Sequence, residues 1–352
     1  MIANAASPPP ALRLRVDASA IAENWRALDR LSGEAKAAAA VKADAYGVGV
    51  GRALPALTGA GCEDFYVAHW REVPDVLAQA PGADLAVLHG PLSPDDCRFA
   101  RETGARPVIN SLFQAKLWQD SGGGPCDLMV DTGMNRLGLR VAELGDPVLA
   151  GLEVVVLMSH LACADEDSAM NERQLAAFAD VVGLVPHRRA SLANSAGIAL
   201  GKGYAFDLTR PGLALYGGIP REELAPHIRQ VVTPEAAILQ ARTVPAGETI
   251  GYGATYAAPH AMRVGIVSIG YADGYLRCWA GKGAFRHGDA CLPVLGRVSM
   301  DMTAIDLAQA PDLREGDWVS ATYDLQQAAR DTGLSQYELL TLSGPRLRQS
   351  GG

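Results

Sequence analysis

A rhythm constrains this chain most. Short apolar runs recur at 37–43 (AAAAVKA), 65–68 (FYVA), 85–90 (LAVLHG), 106–110 (RPVIN), 127–132 (DLMVDT), 152–160 (LEVVVLMSH), 188–194 (RRASLAN) and 205–210 (AFDLTR). Between most of them lie segments with helical spacing, such as REVPDVLAQA, LFQAKLWQD and SAMNERQLAAFADVV. Strand-like runs that alternate with helices at intervals of roughly twenty-five residues predict a (β/α)8 barrel of the TIM type. A doubly wound sheet is the rival, but it would place a Gly-rich phosphate loop after its first strand, and none is present.

Ahead of the rhythm, LRLRV (12–16) alternates like a strand and ASAIAENWRALDRL reads as a helix that stops at Gly33. Beyond about residue 230 the texture changes. EAAILQARTV, RVGIVSIGYADG, ACLPVLGRVSMDMTAIDL and REGDWVSATY read as strands joined by Gly/Pro turns. The expected fold class is α/β: a barrel over 1–230, followed by a mostly β domain over 231–352 with which the strand 12–16 packs.

Bulk properties exclude more than they assign. A net charge of −8 argues against nucleic acid or an anionic membrane as the main partner. Cys62, Cys97, Cys126, Cys163, Cys278 and Cys291 are scattered without a CxxC pair, which suits a reducing compartment and argues against a metal site. MIANAASPPPALRLRV lacks the cationic start and apolar core of a secretory leader, and no apolar run reaches membrane-spanning length. The expected location is cytoplasmic.

Barrels of this kind do their chemistry at the C-terminal ends of the strands. Lys42 closes the first run, Arg136 follows the fifth and His160 closes the sixth; Asn194 and Ser195 close the seventh, and Arg210 ends the eighth. Singly, each has a plain reading: a snorkelling lysine, a surface arginine, a satisfied core histidine. Together they mark one face. A lysine at a barrel mouth either binds phosphate as a point charge or condenses with a carbonyl once burial lowers its pKa. NSAG (194–197) and RPGLALYGG (210–218) offer a hydroxyl and glycine-exposed N–H groups where such barrels hold a phosphate. An amine beside a separate phosphate cradle fits pyridoxal 5′-phosphate, which carries an aldehyde and a phosphate in one molecule.

At this point a family resemblance becomes visible. AVKADAYGVG, VDTGMNRLGL, SHLACADE, NSAG, RPGLALYG, IGYGATY, GYADGY, GRVSMDM and YELLT follow one another from about Leu12 to Tyr337 in the order seen in alanine racemases, fold-type III pyridoxal-phosphate enzymes. The resemblance implies that Lys42 binds the cofactor covalently and acts as one catalytic base, with Tyr252 as the other. It implies a phosphate site from Tyr46, Ser195, the backbone of Gly212 and Leu213, and Tyr337, with Asn194 beside it. Arg210 would donate to the pyridine nitrogen, and Arg136 would meet the cofactor's phenolic oxygen and, with Met300, the substrate carboxylate. His160 would lie behind, hydrogen-bonded toward Tyr252 and Arg210. Tyr252, Tyr271 and Met300 would come from the second copy of a head-to-tail homodimer, while Asp165, Arg277 and Arg297 would line a substrate channel.

Physical chemistry makes sense of that set. Racemisation removes a proton from one face of a carbon and returns one to the other, so two acid–base groups must flank it. An ordinary phenol, with a pKa of about 10, needs a cationic neighbourhood to serve as a base, and a His160–Arg210 pair is a candidate source. An arginine does not readily give up its proton, so a ring nitrogen facing Arg210 stays unprotonated and draws electrons weakly, which disfavours transamination. Three positions depart from the family pattern: Met129 stands where some members carry a carbamylated lysine, Val48 where histidine is common, and Ser299 where cysteine is common. A fold-type III decarboxylase would want an acidic partner for the ring nitrogen and a Gly-rich phosphate loop; a non-catalytic pyridoxal-phosphate carrier would lack the β domain. Alanine is the expected substrate, with serine as the close competitor, since a small pocket rejects one added hydroxyl weakly. Supply of D-alanine for peptidoglycan and its breakdown remain alternatives.

Overall fold

The computed structural model describes residues 10–349. The opening stretch 1–9, on which the expectation about a secretory leader partly rests, lies outside the described residues. The chain divides into two compact units, one over 18–229 and one that joins 230–349 to the strand at 10–17.

The first unit begins with the helix Ala18–Leu31, whose buried face is Ala20, Ile21, Asn24, Trp25, Ala27 and Leu28, the spacing of an apolar stripe. Asn24 is buried without penalty because its amide donates to the carbonyls of Leu215 and Arg229 and accepts from Arg229 N. Eight parallel strand positions follow. The first is split into Lys36–Ala37 and Ala39–Ala40; the others are Asp64–Val67, Asp84–Val87, Arg106–Ile109, Pro125–Asp131, Glu153–Met158, Arg189–Ser191 and Leu208–Thr209. Neighbours in sequence pair in parallel from the first to the seventh. The eighth closes the ring: it pairs with Lys36–Ala37, Ala38 N and Ala40 N donate to Thr209 O and Pro211 O, and Arg210 N donates to Ala193 O at 2.8 Å. The expected barrel is therefore present, although its eighth strand is shorter than the run AFDLTR suggested.

Ala38, Tyr66, Ala86, Val108, Met129, Val156, Met158 and Leu208 fill the barrel. At the N-terminal end of the strands the interior holds charges. Asp127 is fully buried and accepts from Arg106 Nε at 2.8 Å and Val156 N at 3.1 Å, while Asp64 accepts from Arg189. Carboxylates so buried are tolerable only when paired.

The second unit is a closed antiparallel sheet. Its order is Leu12–Val16, Val232–Val244, Met262–Val267, Thr303–Asp306, Ala290–Leu295, Ala284–His287 and Trp318–Ala321, and the last strand pairs back onto the second. Val232–Val244 can serve so many partners because its register shifts between Ile238 and Gln240. Through Ala237 it pairs with Leu12–Val16 and Trp318–Ala321, while Ile238 and, past the break, Gln240–Val244 pair with Met262–Val267. Closure leaves few free edges. Trp279 stacks on Tyr275 at 5.0 Å beneath Phe285 to form part of the core. Three short helices end the unit: Leu325–Thr332, Gln336–Thr341 and Pro345–Gln349.

Candidate active site

Lys42 comes two residues after the end of the first barrel strand, and the backbone there winds the wrong way. Ala43, Asp44, Ala45 and Tyr46 have φ of 55°, 55°, 52° and 56°, so Lys42–Tyr46 forms a left-handed turn with no glycine inside it. Each such residue is disfavoured by roughly 1–2 kcal/mol, so the surroundings must hold the turn. Ala45 N donates to Val41 O and Gly47 N to Ala43 O, both at 2.9 Å. The Asp44 carboxylate accepts from Val50 N at 2.8 Å, at the start of the helix Val50–Ala60. Glu72 reaches in from the short helical turn Trp70–Glu72 that follows the next strand: one oxygen accepts from Ala43 N at 2.5 Å, the other from Ala68 N and His69 N at 2.8 and 2.9 Å.

Lys42 itself is half-buried. Burial first, then the charge of Arg136, pulls its ammonium pKa below the ordinary lysine value; Glu72 works in the opposite direction, and Arg210 adds to the lowering. The same positive charges act on His160. Desolvation, then Arg210, Arg136 and Lys42, push its imidazole down to about 3. His160 is thus neutral near pH 7. The cationic character expected of a His160–Arg210 pair reduces to Arg210 alone, because two cations so close in a dry site repel. Among the described residues no hydrogen bond joins the His160 ring to Arg210.

Arg210 is buried, and its guanidinium donates to the carbonyl of Ser159 at 2.6 Å and to the hydroxyl of Ser191. Among the described residues it makes no ion pair with a carboxylate, so its charge remains available to a ligand. Gln174, on the helix Ala169–Val182, braces the sixth strand end by donating to His160 O and Thr132 Oγ1 and accepting from Ala162 N. Arg136 sits on an exposed loop entered through Asp131, whose carboxylate accepts from Gly133 N and Met134 N, both at 2.8 Å.

The seventh and eighth strand ends form a cradle. Ser195 is buried, and its hydroxyl accepts from Gly212 N at 2.9 Å and Ala214 N at 3.2 Å, on either side of Leu213. The Asn194 carbonyl oxygen is committed to capping Gly197 N. Tyr46 lies over Gly212 so closely that a Cβ there would stand 2.2 Å from the phenol oxygen, and only glycine fits. Tyr46 also stacks on Tyr216 at 5.1 Å, and Tyr216 donates to Ala40 O two residues before Lys42. Asp165 is exposed on the loop after His160, which Asn171 ties down through the carbonyls of Cys163 and Glu166.

In the second unit, Tyr252 occupies a tight turn between Thr249–Ile250 and Tyr256–Ala257 and is 67% exposed. Arg297 lies against that turn: a Cβ on Gly253 would be 3.0 Å from its guanidinium. Two and three residues on, Ser299 O and Met300 O accept from Tyr271 N and Ala272 N, and Arg277 stands over the Tyr271 ring at 5.2 Å. Tyr252, Tyr271, Arg277, Arg297 and Met300 are thus carried by three adjoining loops. Tyr337 is 43% exposed on the helix Gln336–Thr341.

Glu72 and Gln174 were not recognisable in the sequence as site residues. Glu72 is three residues after His69, the spacing of a capping box whose usual Ser or Thr is missing. Gln174 looks like one more polar residue on an amphipathic helix.

Barrel enzymes work at this end of the strands. What converges here suits a small molecule whose anionic group is gripped in one place while an amine addresses another; that is the class. Among the described residues no group of His, Cys, Asp and Glu is placed to hold a metal ion. Family models described as the N-terminal and C-terminal domains of alanine racemase match residues 16–220 and 231–350. The alanine racemase of Rhizobium meliloti (strain 1021) is 42% identical over 366 residues, covering 96% of each chain. The crystal structure of alanine racemase from Bartonella henselae with covalently bound pyridoxal phosphate superposes with a TM-score of 0.88 at 34% identity, over 96% of this chain and 99% of that one. The alanine racemase from Bacillus anthracis with bound L-Ala-P gives 0.86 at 25% identity, over 97% and 95%. The chain belongs to the alanine racemase family, a family of isomerases.

Proposed function

We propose that this chain interconverts L- and D-alanine with pyridoxal 5′-phosphate as cofactor, using Lys42 and Tyr252 as bases on opposite faces of the substrate. The observation that carries the reading is Lys42: an amine with a lowered pKa at the barrel mouth, beside Arg136 and Arg210. The cofactor fits the residues present. Ser195, Tyr46 and the backbone of Gly212 and Leu213, with Tyr337 as a further donor, would hold its phosphate; the bare α-carbon of Gly212 is what lets the Tyr46 phenol come this close to that backbone. Arg210 would face the ring nitrogen as a permanent donor. When bound, the cofactor supplies an aldehyde for covalent capture of amines and a ring that acidifies the α-proton.

The chain's own groups do the rest. Lys42 Nζ takes or returns the α-proton on one face, and Tyr252 Oη of a second copy does so on the other. Arg136, with the Met300 backbone, holds the carboxylate so that only hydrogen and side chain exchange places. Enantiomers have equal free energy, so the direction of net flow follows whichever one the cell consumes. Six free thiols suit a cytoplasmic setting, and among the described residues no helix is long and apolar enough to cross a membrane.

Lys42→Ala should abolish covalent cofactor binding and its visible absorption. Tyr252→Phe should retain the absorption and lose racemisation by roughly 10²–10⁴-fold, with α-proton exchange in heavy water surviving in one enantiomer. Mixing the two inactive variants should restore activity, because one mixed site then has an intact lysine from one copy and tyrosine from the other. Normal racemisation by Tyr252→Phe would refute the two-base reading, and failure of the mixture would refute the shared site.

A further inference from the structure

We infer that Glu72 is a positioning residue for Lys42: it fastens the left-handed turn that starts at Ala43 to the segment just after the second barrel strand, and so sets a carboxylate beside the lysine's turn. The inference rests on the reading of Lys42 as the cofactor-linked base.

Two independent features carry it. The first is geometric. Glu72 accepts three backbone N–H groups from two segments, Ala43 on one side and Ala68 and His69 on the other. Ala43 is the residue directly after Lys42 and the first in the left-handed conformation. A carboxylate is acceptor-only on both oxygens, so it can bridge two sets of donors. An amide cannot, because its NH₂ would oppose one set.

The second is electrostatic. Lys42 is surrounded by positive charge from Arg136 and Arg210, and Glu72 is the one carboxylate among the charges that act on it most strongly. The nearby imidazoles do not compensate. His160 and His89 are both pushed toward the neutral form, first by burial and then by neighbouring positive charge that includes Lys42, His89 also by His69, whose ring lies 4.2 Å away. A base that must also return a proton cannot be left with cations alone. Glu72 opposes them through the same contact that sets the backbone.

The test uses holoenzyme loaded with pyridoxal 5′-phosphate. Glu72→Gln keeps the size, removes the charge and turns an N–H toward one set of donors. Titration of the visible band of the lysine-linked cofactor should show its midpoint lowered by about one pH unit. kcat should fall roughly ten- to a hundredfold with KM nearly constant, because Glu72 does not touch substrate. Glu72→Asp keeps the charge but is one methylene too short to span both segments; it should titrate like the wild type and still lose kcat. A wild-type midpoint in Glu72→Gln, or equal shifts in both variants, would overturn the inference. If Glu72→Gln does not fold, wild-type kcat in Glu72→Asp overturns it just as well. Should borohydride fail to fix the cofactor to the Lys42 peptide in the wild type, the reading of Lys42 itself falls, a result distinct from either variant outcome.

Discussion

Replacing His160 with glutamine isolates the charge balance at the barrel mouth. The imidazole is pushed down to about 3 in the folded protein, by burial and then by Arg210, Arg136 and Lys42, whereas a free histidine titrates near 6.5. As pH falls through about 6.5 the unfolded chain takes up a proton that the folded chain refuses until about pH 3. In that window the unfolded state binds more protons, so stability declines as pH declines. At pH 5 the mismatch spans about 1.5 pH units, and at about 1.36 kcal/mol per unit it destabilises the fold by about 2 kcal/mol. At pH 7 the same effect is only about 0.2 kcal/mol. Glutamine has no proton to gain. The stability gap between wild type and His160→Gln should therefore move by about 2 kcal/mol in favour of the variant between pH 7 and pH 5. Urea unfolding followed by tryptophan fluorescence measures it, with the cofactor released by hydroxylamine and then dialysed away so that its binding adds no pH dependence. Any packing loss from the substitution is common to both pH values and cancels. A gap that does not change with pH would show that His160 titrates normally in the fold, and the neutral imidazole would have to be abandoned.

Two further outcomes are expected. Ala43→Gly would cost about 1 kcal/mol in an ordinary helix; at φ 55° on an exposed residue it should instead leave stability unchanged or raise it by up to about 1 kcal/mol, and a clear loss on thermal melting would contradict the left-handed turn. Arg346 donates to the buried Asp273 at 2.8 Å and to Asp301 at 2.7 Å, bridging the loops that carry Tyr271 and Met300. Arg346→Ala should destabilise the protein by about 1–3 kcal/mol by stranding Asp273 and should raise KM for alanine severalfold; unchanged KM and melting would refute the bridge.

The barrel was legible because burial is local and periodic: runs such as FYVA and LAVLHG need no distant partner to announce a strand. The antiparallel second unit was legible from its Gly/Pro punctuation. Its closure was not, because one thirteen-residue strand, Val232–Val244, reads as a simple run until its break at Ile238 is known to divide it between different partners. The three terminal helices were equally silent, since none exceeds eight residues and amphipathic spacing needs more turns than that to stand out.

Charge and backbone strain escape the sequence for a different reason. His160 follows an apolar strand, and nothing near it in the chain marks it as neutral; the responsible guanidinium, Arg210, is fifty residues downstream. The left-handed turn is harder still. KADAY contains four residues that favour right-handed structure and no glycine, so local propensity predicts the opposite conformation. The turn is decided by what holds it: the Asp44 carboxylate, which ties it to Val50 N of the following helix, and Glu72 at the end of HWRE, twenty-nine residues after Ala43. A change in HWRE can therefore act on Lys42 while AVKADAYG is left untouched. The lysine motif is one half of a device whose other half has no signature of its own, and only the fold brings the two together.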